Sequence, residues 1–409
     1  MNKIVTFIFL LSFCLPLVGQ NDLPAYLTQE ERQLLDQGLF AFKVSEFSET
    51  DPPPFPVRTM AEWEEIQALV VTWTSFKPVL AEIIRNAKEE CRVIVVTNNP
   101  QSAESQLLNT YAFDDLDNVE FLEAPYNTIW IRDYGPNTVY AGDVDSLMIV
   151  DWIYNRPRPL DDVIPNEVAE YLNLPIYSTT EAPYEMVHTG GNFQSDGMGT
   201  AFSSELVLEE NEPGNPYGTA PLTEGEIDQM MSDFMGIDRY IKMETLPYDG
   251  IHHIDMHMRL LDEETILVGE YPEGVADGPQ IEANIQYVQD NFMSSFGTPY
   301  KFVRVLMPPD DGAYPDTWWA DYRTYTNSVF VNKTILVPTY EEQFDTTALK
   351  VYEENLPGYN VVGIDCNSII PSLGALHCIT RAVGVHDPLR IVHQPLEDVV
   401  DDYDPFQVA

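Results

Sequence analysis

Positive charge is scarce in this chain. Its 409 residues carry 21 Lys+Arg against 66 Asp+Glu, a formal net charge of −45 at pH 7. A field of that sign repels phosphate backbones and anionic headgroups, which argues against nucleic acid and lipid surfaces as partners. It gathers cations, so a cationic substrate, partner or metal is expected; solubility in an extracellular medium is the plain alternative. Long hydrophobic runs are missing too: beyond the amino terminus no stretch approaches the roughly 18 consecutive apolar residues of a membrane helix. Glycine and proline, at 22 and 31 residues, stand near their usual share, which excludes collagenous and low-complexity chains. Cysteine is rare, with 4 residues. What is abundant is apolar content, 44%, ample for a core in one big domain or two ordinary ones.

The amino terminus has the build of a secretory signal peptide over residues 1–19. Met1-Asn2-Lys3 is a short basic start, followed by the apolar run Ile4 to Val18 and then Gly19 and Gln20. That core is too short to span a bilayer comfortably. Phe13 is bulky where a lipoprotein site ahead of Cys14 needs a small residue. The mature chain is expected to be exported, either periplasmic or secreted, with no membrane insertion. It keeps Cys91, Cys366 and Cys378, an odd number, so in an oxidising compartment at least one thiol is free or paired between molecules. Cys91 opens an apolar strand-like run and Cys366 ends another, so both read as small core residues.

Residues 20–59 are expected to form a lead-in: an amphipathic helix over 21–50, with Leu34, Leu35, Leu39 and Phe42 on one side, then the Pro-rich linker Asp51 to Pro56. From about Met60, short β-rich runs alternate with helical segments. Strands are expected at 68–73, 93–97, 119–122, 147–152, 266–268, 302–306, 328–331, 335–337 and 359–364. Helices are expected at 79–90, 165–172, 224–235, 282–296 and 346–355. That interleaving argues an α/β fold. No tight internal repeat is visible.

Five polar, structured segments stand out from this background. The first, Trp130-Ile131-Arg132-Asp133-Tyr134-Gly135-Pro136, is either a buried Arg-Asp pair or a site where Asp133 meets a cation, with Trp130 offering its ring face. In the second, Pro157 separates Arg156 from Arg158, which makes either a clamp for a carboxylate or two surface arginines answering Asp161 and Asp162. The third is His188 to Gly197, where Gly190, Gly191 and Asn192 mark a loop of close approach or only a tight turn. The fourth is His252-His253-Ile254-Asp255-Met256-His257. In a strand, His253, Asp255 and His257 would share one face, a zinc candidate lacking a clear fourth ligand; a His and an Asp together also suit acid–base chemistry. The fifth runs from Ser372 to Arg381. Alone, Cys378 reads as a structural cysteine; with a distant His-x-Asp and a further Asp it makes a Cys/His/acid set.

In order, Trp-x-Arg-Asp-x-Gly-Pro (130–136), Gly-Gly-Asn (190–192), His-Ile-Asp (253–255), Tyr-Thr-Asn (325–327) and Leu-His-Cys-Ile-Thr-Arg (376–381) resemble the Porphyromonas-type peptidylarginine deiminases and their relatives, the agmatine deiminases. The resemblance spans about Trp63 to Gly384. It implies a pentein fold, a five-bladed α/β propeller of ββαβ-type units around a central site, with the catalytic domain occupying residues 60–409. It also implies Cys378 as nucleophile, His253 as general acid/base, Asp133 and Asp255 as the grip on the guanidinium, and Asn327 as a further catalytic position. Trp130, Gly190, Gly191, Asn192, Arg156 and Arg158 would be substrate-binding, and neither metal nor cofactor is required. Agmatine deiminases carry Glu before Gly-Gly-Asn; this chain has Thr189. With the signal peptide and the Arg156/Arg158 pair, that favours an arginine-containing peptide or protein, with a C-terminal arginine converted to citrulline and ammonia. The alternatives are an agmatine or free-arginine deiminase, then an amidinotransferase, then a non-catalytic metal-binding secreted protein.

Overall fold

The computed structural model describes residues 23–40, 42 and 48–393; the expected signal peptide lies outside them. The expected strands form, and they assemble into five separate sheets. Four of the sheets contain one motif: an antiparallel hairpin, then a helical crossover to a parallel third strand. It recurs as Asn137–Ala141, Ser146–Tyr154 and Ile176–Thr179; as Gln194–Ser195, Thr200–Ser204 and Arg239–Met243; as Met258–Leu260, Thr265–Glu270 and Lys301–Leu306; and as Val329–Val331, Thr334–Thr339 and Asn360–Asp365. The remaining sheet takes Ile66–Thr72, Arg92–Thr97 and Val119–Glu123 from the start of the chain. It receives its antiparallel strand, Arg381–Gly384, from the end, and this closes the ring. The fold is therefore the α/β five-bladed propeller implied above.

Local sequence explains the elements. The parallel strands are covered on both faces and read as apolar runs: in Arg92–Thr97 every residue after the first is buried. Helix Glu224–Met235 has a capping box between Thr223 and Glu226, buries Ile227, Met230, Met231, Phe234 and Met235 along one stripe, and stops at Gly236, whose φ is +64°. A carbon added to Gly236 would lie 1.9 Å from the Val57 carbonyl, so close packing as well as φ requires glycine. Helix Pro100–Asn109, capped by Asn99, was not anticipated, nor was the closing strand Arg381–Gly384.

Two sequence expectations need correction. The lead-in helix is only Gln29–Asp36, ended by Gln37 and by Gly38 at φ +67°. Leu34 and Leu39 face solvent; Leu35 alone of the four is fully buried, against Ile153, Val187 and Tyr217, with Phe42 packing beside it. The segment 252–257 is not a strand. His252 takes a left-handed backbone (φ +58°) and Ile254–Met256 is a single 3-10 turn, so His253, Asp255 and His257 do not share a face. His257 is instead buried near Met243, Met258, Ile285 and Phe302. Among the described residues, no group of three or more His, Cys, Asp or Glu converges as metal ligands. Cys91, Cys366 and Cys378 are all buried free thiols, and burial pushes the Cys91 thiol up to about 12.

Candidate active site

The connections between successive blades carry the chemistry. Asp133 lies in the short helix Ile131–Tyr134, just ahead of the strand that opens its blade. Gly190–Asn192, Ile254–Met256, Asn327 and the turn His377–Ile379 hold the same position ahead of the other four. Strand alternation plays no part here: Asp133, Asp255, Asn327 and Cys378 all come from the short segments just ahead of a strand, and Gly191 supplies backbone at the same place.

Asn327 builds the nucleophile turn. Its Oδ1 accepts from the backbone N–H groups of Ala375 (3.2 Å), His377 (2.9 Å) and Cys378 (3.3 Å), and its Nδ2 donates to Cys378 Sγ at 3.2 Å. Cys378 Sγ also stands 3.7 Å from Asp255 Oδ2. Trp130 lies against the loop on the other side: a carbon added to Gly374 would fall 2.4 Å from its Cζ3 and 3.1 Å from Cys378 Sγ. Only glycine lets the indole close against the sulfur.

Asp133 Oδ1 accepts from Gly191 N at 3.2 Å and lies 3.5 Å from His253 Nδ1. Both ring nitrogens of His253, and Asp255 Oδ1, are buried without a hydrogen-bond partner. Gly191 marks the point of convergence: an added carbon there would lie 2.5 Å from His253 Nδ1, 2.8 Å from Asp133 Oδ1 and 3.3 Å from Asp255 Oδ2. Of the atoms at that point His253 Nδ1 lacks a hydrogen-bond partner, and a polar group left open inside a dry core is costly unless a ligand completes it.

Burial suppresses charge throughout this centre. It pushes Asp133 up to about 6, opposed by nearby Arg156, and pushes Asp255 well up, with Asp133 adding repulsion. Burial and the two aspartates hold the Cys378 thiol well above its ordinary value, and burial followed by Arg156 keeps His253 neutral. A cation bound between the aspartates reverses the carboxylate and thiol terms at once.

One supporting network was invisible in the sequence. His377 Nδ1 lies 2.7 Å from Asp255 Oδ2, its Nε2 lies 2.9 Å from both Arg259 Nη1 and Glu62 Oε1, and Glu62 also pairs with Arg259 (2.7 Å) and Arg132 (3.2 Å). Burial first, then Arg132, pushes the His377 pKa well below its ordinary value, against the pull of Glu62; facing an ionised Asp255, which can only accept, its Nδ1 is the donor. Arg132 thus pairs with Glu62 rather than with Asp133, which leaves Asp133 free for a ligand. The only signal for His377 was its place beside Cys378; Glu62 had none in so acidic a chain.

Four expected binding residues are placed differently from the catalytic group. Both ends of the Asn192 amide are taken by the Ser204 backbone, and Gly190 packs on the Arg132 carbonyl, so these two shape the loop. Arg156 and Arg158 are not surface residues answering Asp161 and Asp162; both are buried. Arg158 is occupied by Glu31, at 2.7 and 3.2 Å. Arg156 donates to the carbonyls of Ala25 (3.0 Å) and Asn155 (3.2 Å), and no ion pair joins it to a carboxylate among the described residues.

A family model, Porphyromonas-type peptidyl-arginine deiminase, matches residues 58–383. The chain belongs to this family. It is a guanidino-group deiminase, a hydrolase of C–N bonds in linear amidines. A Legionella pneumophila (strain Paris) protein named "Putative agmatine deiminase" is 27% identical over 282 residues, 64% of this chain and 75% of the relative. The fold is shared with the putative arginine deiminase of Porphyromonas gingivalis: TM-score 0.68 and 23% identity, over 82% of this chain and all of that one. It is shared also with the agmatine deiminase of Enterococcus faecalis: TM-score 0.70 and 18% identity, over 83% of this chain and all of that one.

Proposed function

We propose that this deiminase acts after export, in the periplasm or outside the cell, on arginine that carries a free carboxylate. The foremost substrate is the C-terminal arginine of a peptide or protein, released as citrulline plus ammonia. The observation carrying the substrate choice is Arg156, a buried cation near Asp133 and Glu210 that makes no direct ion pair with either or with any other carboxylate among the described residues. A substrate carboxylate would complete it with charge-assisted hydrogen bonds, whereas the second cation of agmatine would be repelled by it.

In this reading Asp133 and Asp255 accept from the N–H groups along the edges of the planar guanidinium and leave a face of its carbon to Cys378 Sγ. The cation neutralises the aspartates that hold the thiol protonated, neutral His253 takes the thiol proton, which it later passes to the leaving nitrogen, and Asn327 Nδ2 stabilises the thiolate that forms. Sulfur adds to the carbon, and His253 delivers a proton to the departing nitrogen. The C–N bond breaks, ammonia leaves, and an amidino-thioether remains. His253 then takes a proton from water, whose oxygen bonds the same carbon as the C–S bond breaks, releasing the ureido product and restoring the thiol. Trp130 walls the reacting carbon from solvent. No step calls for a metal or a cofactor.

A second reading, agmatine as substrate, is favoured by the pairing of Arg158 with Glu31, which fills half of the expected clamp. The experiment compares ureido product and ammonia from a peptide ending in arginine, the same peptide amidated, and agmatine, with wild type and Arg156→Ala. Preference for the free carboxylate, lost in Arg156→Ala, supports the proposal. Agmatine preferred, or all substrates equally hurt by Arg156→Ala, overturns it.

A further inference from the structure

Residues 23–36 precede the stretch that matches the family, which begins at residue 58, yet they lie across the catalytic loops. The Leu23 carbonyl accepts from Trp130 Nε1 at 2.8 Å. Ala25, wholly buried, donates its N–H to the Ser372 carbonyl at 3.0 Å, in the loop leading to Cys378, and its own carbonyl accepts from Arg156 Nε at 3.0 Å. The carbonyls of Pro24 and Tyr26 accept from Arg158 Nη2 at 2.8 and 3.4 Å. One short segment therefore ties the nucleophile loop to the loop bearing both arginines.

Its charged contact has the chemistry of a bound substrate group. Glu31 Oε1 and Oε2 meet Arg158 Nε and Nη2 at 2.7 and 3.2 Å, the two-point pairing that a terminal carboxylate makes with a guanidinium. The carboxylate is preset, because Oε2 also accepts from Thr28 N at 2.8 Å in the capping box of helix Gln29–Asp36. Arg158 Nη1 donates to the Tyr154 hydroxyl at 3.4 Å, and the Tyr154 ring packs on Tyr134, the residue after Asp133, so the pair borders the catalytic centre.

We propose that Leu23–Asp36 is a specificity strap in which Glu31 occupies the carboxylate position on Arg158. A substrate with a carboxylate beside its arginine must displace Glu31, and one without it need not. The inference rests on the substrate reading above, and it adds an intramolecular competitor that raises the KM of carboxylate-bearing substrates in proportion to the time the strap stays docked.

The test uses the full mature chain as wild type, Glu31→Gln and Glu31→Ala, on the peptide ending in arginine, its amide, and agmatine. Gln keeps the capping pattern while removing the charge. The expected result is a KM about tenfold lower for the free-carboxylate peptide, with kcat unchanged and the other two substrates unaffected. An equal change on all three, or no change, overturns the strap. If the wild type turns over none of the three, the substrate reading fails, and hydrogen exchange in Cys378→Ser judges the strap separately. N-acetylarginine should speed exchange across 29–36 while N-acetylargininamide should not; unchanged exchange with N-acetylarginine overturns the strap.

Discussion

Gly191→Ala should yield a folded and nearly inactive enzyme. The added methyl would sit 2.5 Å from His253 Nδ1 and 2.8 Å from Asp133 Oδ1, against an ordinary contact of 3.4 Å or more. The imidazole must therefore retreat by roughly 1 Å, a misplacement that costs on the order of 10²-fold in rate, equivalent to ~2.7 kcal/mol of barrier. The methyl also occupies the point where the guanidinium nitrogens are to meet Asp133 and Asp255. The fold should survive, because the crowded atoms are side-chain ends facing an open site and the Gly191 backbone does not need the left-handed region; overpacking of this kind costs about 1–3 kcal/mol. Gly190→Ala is the internal control. Its methyl would lie 2.0 Å from the Arg132 backbone carbonyl, which cannot move without the Ile131–Tyr134 turn, so this variant should lose the fold. The assay is kcat/KM beside a thermal melt for both variants. A Gly191→Ala enzyme with wild-type kcat/KM would refute the placement of the reacting centre.

Cys378→Ala should lose more than about 10⁴-fold in kcat while the melting temperature barely moves; residual wild-type turnover would remove the proposed nucleophile. The acid limb of kcat/KM should have its midpoint at about 6 or higher, because Asp133 and Asp255 bind the cation only as carboxylates, and burial raises Asp133 to about 6 and Asp255 well up. The sign for stability is opposite: the folded chain holds the Asp133 proton more tightly than the unfolded chain, so the group's contribution falls as pH climbs from 3.8 to about 6. A midpoint at an ordinary carboxylate pKa would count against this role. His377→Ala should cut kcat by about tenfold or more and move the acid limb upward, since Asp255 loses its Nδ1–H donor; His377→Asn, whose amide can replace that donor, should recover part of both. An unmoved pH profile in His377→Ala would make the histidine merely structural.

The strands and helices were legible where burial on both faces imposed apolar runs, as in Arg92–Thr97, or where capping marked an end, as at Thr223 and Gly236. The five-unit repeat was not legible by eye. A ββαβ blade asks only for apolar residues of suitable size at core positions, and that requirement is met by many unrelated strings. The 252–257 segment misled for a related reason: period-two spacing of His, Asp and His is a strand signal only if the backbone is extended, and His252 turns it at φ +58°.

The residue types and order of Asp133, His253, Asp255, Asn327 and Cys378 were written in the sequence, because the chemistry of a guanidinium demands acids, an imidazole and a thiol, and short motifs carry them. Partnership was decided only by the tertiary structure. Arg158 read as a free clamp until folding brought Glu31, 127 residues away, onto it, and His377 gained its meaning from Asp255 and Glu62, 122 and 315 residues distant. Charge pairing in a dry core depends on separations of a few ångströms, and sequence distance does not encode them.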